Sequence, residues 1–155
     1  MKIEIGLCLP RDAKTVALVR SVAMGALERL GTTASCVDDI RLALSEACSN
    51  VIQHAEGDDD YEVLLTVEDD VCSISVIDSG APIDTDTLQR EMPDLSSSSG
   101  RGVALMTALV DRVKFISEPE AGMVVHLVKQ LSFEPDGAMA RLQSSGAGAD
   151  GDGRN

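Results

Sequence analysis

The residues best suited to chemistry form a polar row within one predicted helix. Glu46, Asn50 and His54 recur every four residues, so they lie one above the other on a single helix face. A carboxylate near a phosphoryl acceptor can take the proton of an attacking hydroxyl, while a neighbouring amide oxygen is a suitable hard ligand for Mg2+. The solvated edge of an ordinary amphipathic helix shows the same pattern, so the row needs support from other parts of the chain.

Two glycine-containing stretches further along have the chemistry of a nucleotide site. Asp78 stands at the predicted end of a strand and is followed by Gly80, which lets the backbone approach a flat ligand. Such a carboxylate can accept a hydrogen bond from an exocyclic amine, as adenine offers. Gly100, Arg101 and Gly102 open a predicted helix, whose free N–H groups and dipole favour an anion, and Arg101 can reach a phosphate directly. Each stretch alone is equally typical of turns and loops.

Hydropathy periodicity predicts the elements that must position these residues. Three main helices are expected, from residue 11 or 12 to 30, from about 35 to 55, and from 103 to 110. Five strands are expected at 2–9, 61–68, 71–77, 113–117 and 123–131. A further short helix is expected at 84–92, and the serine-rich residues 93–100 form a flexible segment of the kind that makes an active-site lid.

The order of these elements predicts an α+β fold. We expect a two-layer sandwich in which a mainly antiparallel, mixed five-stranded sheet is covered on one face by three main helices. Residues 1–131 are expected to form one domain, and residues 132–155, rich in Gly, Ala, Ser and Asp, a disordered acidic tail. The helix with the polar row is expected to bury an apolar stripe made of Val37, Ile40, Leu44, Cys48, Val51 and Ala55.

Composition and charge narrow the classes of function. A formal net charge of -13 argues against nucleic acid and anionic membranes as partners, because both require clustered Lys and Arg. No stretch has the length of a membrane span and the N-terminus does not resemble a signal peptide, so a cytoplasmic protein is expected. The cysteines lie in apolar patterns without C-x-x-C spacing, which indicates small buried hydrophobes rather than a zinc site or disulfides: Cys8, Cys36, Cys48 and Cys72.

Taken together and in this order, the three polar stretches resemble the ATP-binding boxes of the GHKL superfamily, which has the Bergerat fold. Within it, the chain is most similar to the short anti-sigma-factor serine/threonine kinases of the RsbW and SpoIIAB type. The stretch 45–55 resembles the N-box of that family, 78–82 its first glycine box and 100–105 its second. The similarity covers about residues 1–131, and it implies the Bergerat fold with ATP and Mg2+ as cofactors.

The resemblance also implies roles for individual residues. Glu46 would be the catalytic base toward a Ser or Thr hydroxyl of a partner protein, and Asn50 the Mg2+ ligand. Asp78 would contact adenine, and Arg101 would meet the terminal phosphate or the partner. The full set of implied nucleotide-binding residues is Asn50, His54, Asp78, Gly80, Gly100, Arg101, Gly102 and Val103.

The implied function is that of an anti-sigma factor that is also a kinase. Members of this branch sequester a sigma factor and phosphorylate an anti-anti-sigma factor of the STAS fold, and they are commonly homodimers. Arg20 lies on the first helix, which in the family helps to form the partner surface. A histidine-kinase catalytic domain is a weaker interpretation, because the chain has no dimerisation helix pair that bears a phosphoacceptor His.

Two departures from the family pattern support a rival hypothesis. Ala104 stands where many relatives carry another glycine, and Met123 occupies a place near the adenine where the superfamily usually has Thr or Ser. The loss of that hydroxyl removes one hydrogen bond, worth about 0.5–1.5 kcal/mol. The alternative is therefore a non-catalytic, ATP-gated module that binds a partner without transferring phosphate. His126, which alternates with apolar residues in a strand, is interpreted as structural.

Overall fold

The computed structural model describes residues 1–54, 60–78, 100–118 and 122–146. The predicted short helix at 84–92 and the serine-rich residues 93–99 lie outside them. The elements in chain order are β1 (Lys2–Pro10), α1 (Thr15–Arg29), α2 (Ala34–His54), β2 (Asp60–Glu68), β3 (Val71–Asp78), α3 (Gly100–Leu109), β4 (Arg112–Glu118), β5 (Gly122–Gln130) and α4 (Ala138–Gly146).

The five strands form one sheet in the order β1-β2-β3-β5-β4, with α1, α2 and α3 in a helical layer. The predicted two-layer α+β architecture is confirmed. Every neighbouring pair of these strands is antiparallel, which corrects the expectation of a mixed sheet. The reason lies in the connections: α1 and α2 together return the chain to the end of the sheet that it had left, and a tight turn joins β2 to β3.

This path brings several strand ends to one end of the sheet. Pro10 at the end of β1 lies opposite Asp60, and Tyr61 lies opposite Asp78 at the end of β3. β5 begins at the same end, because Val124 pairs with the penultimate residue of β3. We call this the upper end of the sheet. The carboxylate of Asp78 and the C-terminal half of α2 therefore belong to the same end of the molecule.

The core lies between the sheet and the helices, as strand alternation and helical periodicity dictate. The strands contribute alternate residues, such as Val63 and Leu65 of β2, which are 3% and 2% exposed. On α2 the predicted apolar stripe is confirmed within the described residues, and Ala55 lies outside them. The buried members of the stripe are Val37, Ile40, Leu44, Cys48 and Val51. No helix among the described residues combines the length and apolar character required to cross a bilayer.

Three of the cysteines are buried as predicted, but Cys8 is exposed. The prediction was wrong for Cys8 because side chains alternate between the two faces of β1. The residues of β1 that face the helices are Ile3, Ile5, Leu7 and Leu9, so Cys8 lies on the other face. Burial raises the pKa of the Cys48 and Cys72 thiols to about 12, so both are protonated at neutral pH. Within the described residues, the cysteines are all free thiols.

The segment after β5 differs from the expected disordered tail. Thr32 and Phe133 form an isolated antiparallel bridge, and the Glu134 N–H donates to the Gly31 carbonyl at 2.7 Å. α4 follows, and its Met139 is 3% exposed because it packs into the main core. The low hydropathy of the segment concealed this docking, which depends on Met139, on the packing of Phe133 against the core and on backbone hydrogen bonds. Residues 147–155 lie outside the described part of the chain.

Gly31 makes this docking possible, because it has a positive φ of 82° and its backbone touches that of Gly137. A Cβ atom on Gly31 would lie 2.5 Å from Gly137 Cα. We expect Gly31→Ala to lower the free energy of unfolding by about 3 kcal/mol, because it adds both backbone strain and a backbone clash. Urea-induced unfolding followed by circular dichroism measures this change.

Gly25 provides the matched control for that substitution. It lies in the middle of α1, and a Cβ atom there would meet nothing within 4 Å. Gly25→Ala is expected to raise the free energy of unfolding by about 0.5–1 kcal/mol, because alanine favours the helix. Effects of the same sign and size at both positions would contradict the close contact between Gly31 and Gly137.

His126 lies on the sheet face that points away from the helices. Its Nδ1 is 2.8 Å from the hydroxyl of the buried Ser75. Burial lowers the pKa of His126, and the cationic Lys114 and Arg112 lower it further. A neutral imidazole that is hydrogen-bonded to Ser75 agrees with the structural role that the sequence predicts for His126.

The lowered pKa of His126 makes the stability of the protein depend on pH. At pH values below the ordinary pKa of 6.5, His126 is protonated in the unfolded chain but stays neutral in the folded protein until a lower pH. The free energy of unfolding therefore decreases as the pH decreases through this range. We expect the wild type to lose more stability than His126→Gln between about pH 7.5 and about pH 5.5. Urea titrations at both pH values give the difference, and parallel losses in the two proteins would contradict this prediction.

Candidate functional site

The polar row lies on the C-terminal half of α2, at the boundary of the stripe that packs into the core. Cys48 and Val51 are fully buried, Glu46 is half-buried, and Asn50 is 7% exposed. Because residues four apart share a helix face, the carboxylate and the amide can both reach a ligand bound beside α2. His54 is the last residue of α2, and its side chain lies outside the described part of the structure.

Gly102 brings the start of α3 against this pair. A Cβ atom on Gly102 would lie 3.0 Å from Glu46 Oε2 and 3.8 Å from Asn50 Oδ1. The missing side chain therefore allows the backbone of α3 to approach the carboxylate closely. The first turn of a helix also leaves N–H groups without helical partners. Two stretches that are far apart in the sequence thus lie side by side, so that a helix start with N–H groups free of helical partners adjoins a carboxylate and an amide.

Lys129 of β5 holds the other end of α3. Its Nζ donates to the Leu109 carbonyl at 2.8 Å and lies 3.3 Å from Asp39 Oδ2 of α2. The cation satisfies a carbonyl at the helix C-terminus and suits the negative end of the helix dipole. Lys129 thereby holds Leu109, the last residue of α3, near the start of α2. Because Gly102, at the start of α3, lies near the C-terminal half of α2, the two helices run antiparallel. Lys129 could not be predicted from the sequence, because a lysine in a strand carries no signal of such partners.

Asp78 is the last residue of β3, as the sequence predicts, and it faces the helical layer. Alternation places Ile74 and Val76 in the core, and Asp78 continues the same face with only 6% of its surface exposed. Tyr61 lies opposite Asp78 in β2 and is fully buried. The Tyr61 hydroxyl is 2.6 Å from Thr15 Oγ1, so the start of α1 is tied to the same end of the sheet.

Arg11 is the charge partner of Asp78. The Arg11 Nη2 donates to Asp78 Oδ1, and the two side chains are only 6% and 8% exposed. A carboxylate that is so far removed from water needs such a partner, because its desolvation would otherwise be uncompensated. Arg11 was not among the residues predicted from the sequence. The two residues are 67 positions apart, and a lone arginine after a strand does not indicate which carboxylate it will contact.

The other predicted nucleotide-binding residues line the start of α3. Gly100 is the first residue of this helix, Arg101 is exposed and Val103 is half-buried. Ala104, where many relatives carry glycine, is exposed. Gly80 lies outside the described residues. The start of α3 therefore combines a solvent-accessible guanidinium with backbone N–H groups, which is an arrangement that suits phosphate oxygens.

Met123 is a neighbour of Asp78 at the upper end of the sheet. The β3–β5 ladder ends with Ile77 opposite Val124, so Asp78 and Met123 are the next residues of the two strands. Met123 is half-buried and packs against the core. A thioether therefore stands beside the buried carboxylate, at a position where a hydroxyl would supply a hydrogen bond.

Arg20, the residue expected on the partner surface, lies in the middle of α1 and is half-buried. It lies close enough to α2 for its charge to lower the pKa of Cys48, although burial is the larger effect and raises that pKa to about 12. Arg20 therefore lies near Cys48 on the buried face of α2. Part of its side chain remains accessible to a partner.

Glu46, Asn50 and the start of α3 combine the groups that phosphoryl transfer requires. The carboxylate can accept a proton, and the N–H groups and Arg101 can contact phosphate oxygens. In the part of the chain that the structure describes, no cluster of three or more His, Cys, Asp or Glu side chains is arranged to hold a metal ion. The donors present fit Mg2+, which needs few protein oxygens because it keeps water and phosphate oxygens as ligands.

Comparisons with known proteins agree with this arrangement. Residues 9–129 match the family described as the histidine kinase-like ATPase domain. The serine-protein kinase RsbW of Bacillus velezensis is 32% identical over 137 residues, which cover 81% of this chain and 84% of that protein. A serine-protein kinase RsbW of Bacillus cereus is 29% identical over 141 residues, which cover 84% of this chain and 87% of that protein.

A solved structure shows the same fold. The crystal structure of the RsbU and RsbW domains of Rv1364c from Mycobacterium tuberculosis matches with a TM-score of 0.66 and 22% sequence identity. The match covers 85% of this chain and 33% of that longer chain. The matched family region contains the α2 polar row, Asp78 and the start of α3. The chain therefore belongs to the histidine kinase-like ATPase domain family, in the branch of the RsbW serine-protein kinases.

Proposed function

We propose that this protein is an anti-sigma factor and an ATP- and Mg2+-dependent serine/threonine protein kinase. In this role it sequesters a sigma factor and phosphorylates an anti-anti-sigma factor of the STAS fold. The observation that carries the proposal is the approach of Gly102 to Glu46 and Asn50, at 3.0 and 3.8 Å from a Cβ atom on the glycine. It joins a phosphate-binding helix start to a candidate base. The names of the RsbW relatives support the same activity.

The transfer step uses few protein groups. Glu46 accepts the proton of the Ser or Thr hydroxyl as that oxygen attacks the γ-phosphorus of ATP. The bond between the γ-phosphorus and the β–γ bridging oxygen breaks, so ADP leaves and the phosphoester forms on the partner. Asn50 would hold Mg2+ through its amide oxygen, and the metal would supply neutralisation of the charge on the phosphate oxygens. The N–H groups at Gly100 and Gly102, together with Arg101, stabilise the negative charge on the transferred group.

The adenine end of the proposed site is the upper end of the sheet. Asp78 accepts a hydrogen bond from the exocyclic amine, and its burial makes this contact stronger than it would be in water. Gly80 and His54 are proposed to line the same nucleotide site, as is Val103 in the first turn of α3. Burial of the base against apolar side chains such as Met123 adds affinity without hydrogen bonding.

The partner proteins are proposed to bind around the helices that border the site. Arg20 on α1 and Arg101 on α3 are both accessible cations, and both lie near the polar row of α2. On a chain whose net charge is -13, two such cations offer a local contact for acidic side chains of a partner. We propose that the protein acts as a homodimer, as is common among its small relatives.

Met123 favours one second candidate function, a module that binds ATP and a partner without transferring phosphate. The thioether beside Asp78 replaces a hydroxyl, so the nucleotide loses a hydrogen bond worth about 0.5–1.5 kcal/mol. In such a module Glu46 only lines the pocket, and ATP binding controls whether the protein binds its partner.

A phosphotransfer assay distinguishes the two functions. The purified protein is incubated with a STAS-domain anti-anti-sigma factor recovered from the same cells, γ-labelled ATP and Mg2+, with and without EDTA. We expect Mg2+-dependent transfer of label to a Ser or Thr of the STAS protein. A stable partner complex that retains unconsumed ATP would favour the binding module. Absence of ATP binding would contradict both functions.

A further inference from the structure

The contact between Arg11 and Asp78 connects the proposed adenine site to a residue outside the three motif stretches. Arg11 lies between the end of β1 and the start of α1. Its guanidinium contacts Asp78 Oδ1, and both side chains are more than nine-tenths buried, at 6% and 8% exposure. Ion pairs so deeply buried are uncommon, because the desolvation of both groups must be offset by good geometry.

Arg11 directly follows β1 and Asp78 ends β3, two strands that are not neighbours in the sheet. Pro10 pairs with Asp60 in β2, and the next residue of β2, Tyr61, pairs with Asp78 in β3. Because β2 lies between β1 and β3, a contact from the residue after β1 to the end of β3 requires a long side chain. Arginine and lysine both have such length, and arginine adds a planar guanidinium.

The backbone around Arg11 is held in place by local hydrogen bonds. The Asp12 N–H donates to the Pro10 carbonyl at 2.8 Å, and the Lys14 N–H donates to Asp12 Oδ1 at 2.9 Å. Thr15 Oγ1 donates to the Asp12 carbonyl at 2.6 Å and also contacts the hydroxyl of Tyr61. The turn that carries Arg11 is therefore anchored before any ligand binds, and it presents the guanidinium in a defined position.

A carboxylate has two oxygens, and the contact with Arg11 Nη2 uses one of them. With Oδ1 committed to a planar guanidinium, the plane of the carboxylate is set and the direction of Oδ2 follows. An oxygen with a set direction accepts a hydrogen bond without the entropic cost of orienting it on binding. The same pairing compensates the desolvation of the carboxylate, and a charged acceptor binds an amine more strongly than a neutral one.

We propose that Arg11 is a positioning residue that aims Asp78 at the exocyclic amine of adenine and thereby sets the selectivity for adenine nucleotides. This inference rests on the proposed function, because it takes Asp78 as the adenine contact. Arg11 acts through Asp78 and does not itself touch the reacting phosphate. Its removal therefore affects the recognition of the base and leaves contacts with the phosphates in place.

The test compares two nucleotides that differ only at the amine. Isothermal titration calorimetry is performed with ATP and with purine riboside triphosphate, which lacks the 6-amino group, on the wild type, Arg11→Gln and Arg11→Lys. We expect Arg11→Gln to weaken ATP binding about tenfold, while binding of the purine riboside triphosphate changes less than about twofold. Arg11→Lys keeps the charge but not the planar geometry, so it is expected to fall in between.

Arg41→Gln is the matched control, because Arg41 also pairs with an aspartate but does so at the surface. Its partner is Asp38 at 2.6 Å, and the two side chains are 49% and 58% exposed. We expect Arg41→Gln to leave the ATP preference unchanged. A loss of preference in this variant equal to that in Arg11→Gln would show a general effect of charge and would overturn the proposal.

A double-variant cycle with Asp78→Asn separates positioning from folding. Arg11→Gln leaves a buried carboxylate unpaired, whereas Arg11→Gln with Asp78→Asn removes both charges and is expected to fold. In the Asp78→Asn background, Arg11→Gln should no longer change the ratio of the two affinities. If it changes the ratio there as much as in the wild type, Arg11 does not act through Asp78.

The remaining outcomes also decide the matter. If Arg11→Gln weakens the binding of both nucleotides equally, Arg11 has only a structural role. If it tightens ATP binding, the guanidinium competes with adenine for Asp78. Either result overturns the proposal. If the wild type prefers ATP to the purine riboside triphosphate and Arg11→Gln does not alter that preference, the positioning role is wrong and the proposed function is unaffected. If the wild type binds neither nucleotide, the proposed function itself fails.

Discussion

Glu46→Gln is expected to lower phosphoryl transfer to the STAS protein by about 100- to 10,000-fold, while the affinity for ATP stays close to that of the wild type. The amide has the size of the carboxylate but cannot accept the proton of the attacking hydroxyl. Because Glu46 is half-buried and stands beside the start of α3, the substitution removes the base without opening a cavity. Initial rates with γ-labelled ATP and calorimetric titration with ATP measure the two quantities separately.

Glu62→Gln is the matched control for this experiment. Glu62 is exposed on β2, on the sheet face opposite the helices, and the substitution changes the net charge by the same amount. We expect it to leave both transfer and ATP binding unchanged. Undiminished transfer by Glu46→Gln would show that Glu46 only lines the site, and equal losses in both variants would indicate an effect of total charge.

Gly102→Ala is expected to lower turnover by about 10- to 100-fold, because it moves the reacting groups apart. The added Cβ atom would lie 3.0 Å from Glu46 Oε2, which is closer than carbon and oxygen normally approach. Either the carboxylate turns away or the start of α3 retreats, and both changes disturb the relation between the base and the phosphate. We expect a smaller effect on ATP affinity, since the N–H groups at the start of α3 remain.

The same glycine-to-alanine change at Gly25 is the control, because a Cβ atom there meets nothing within 4 Å. Gly25→Ala should retain full turnover. The phosphotransfer assay and urea unfolding are carried out on both variants. If Gly102→Ala keeps wild-type turnover, the closeness of α3 to Glu46 is not required for transfer, and the observation that carries the proposed function loses its significance.

Local sequence patterns predicted most of the fold, because these patterns arise from short-range geometry. The helix expected from about residue 35 to 55 is α2 (Ala34–His54), and the hairpin strands are β2 (Asp60–Glu68) and β3 (Val71–Asp78). Periods of 3.6 and 2 residues decide which side chains face the core, and they do so independently of the rest of the chain. The expected position of Asp78 at a strand end followed from the same alternation.

The misassigned tail and Cys8 show the limit of such patterns. α4 (Ala138–Gly146) buries only Met139, and it is held by that side chain and by the close contact of Gly31 with Gly137. Nothing in its own composition indicates that another part of the chain has a place for it. For α4, the decisive partner is therefore distant in the sequence. Cys8 was misassigned for another reason, because it fits an apolar run while the alternation within β1 turns it outward.

The polar row of α2 was determined by the sequence itself, because a spacing of four residues sets one helix face whatever surrounds it. Its relation to the rest of the site was decided only by the tertiary structure. The fold brings Gly102 against Glu46, Lys129 against the end of α3, and Arg11 against Asp78. These contacts join residues tens of positions apart. No local periodicity encodes them, since they depend on how strands and helices pack against one another.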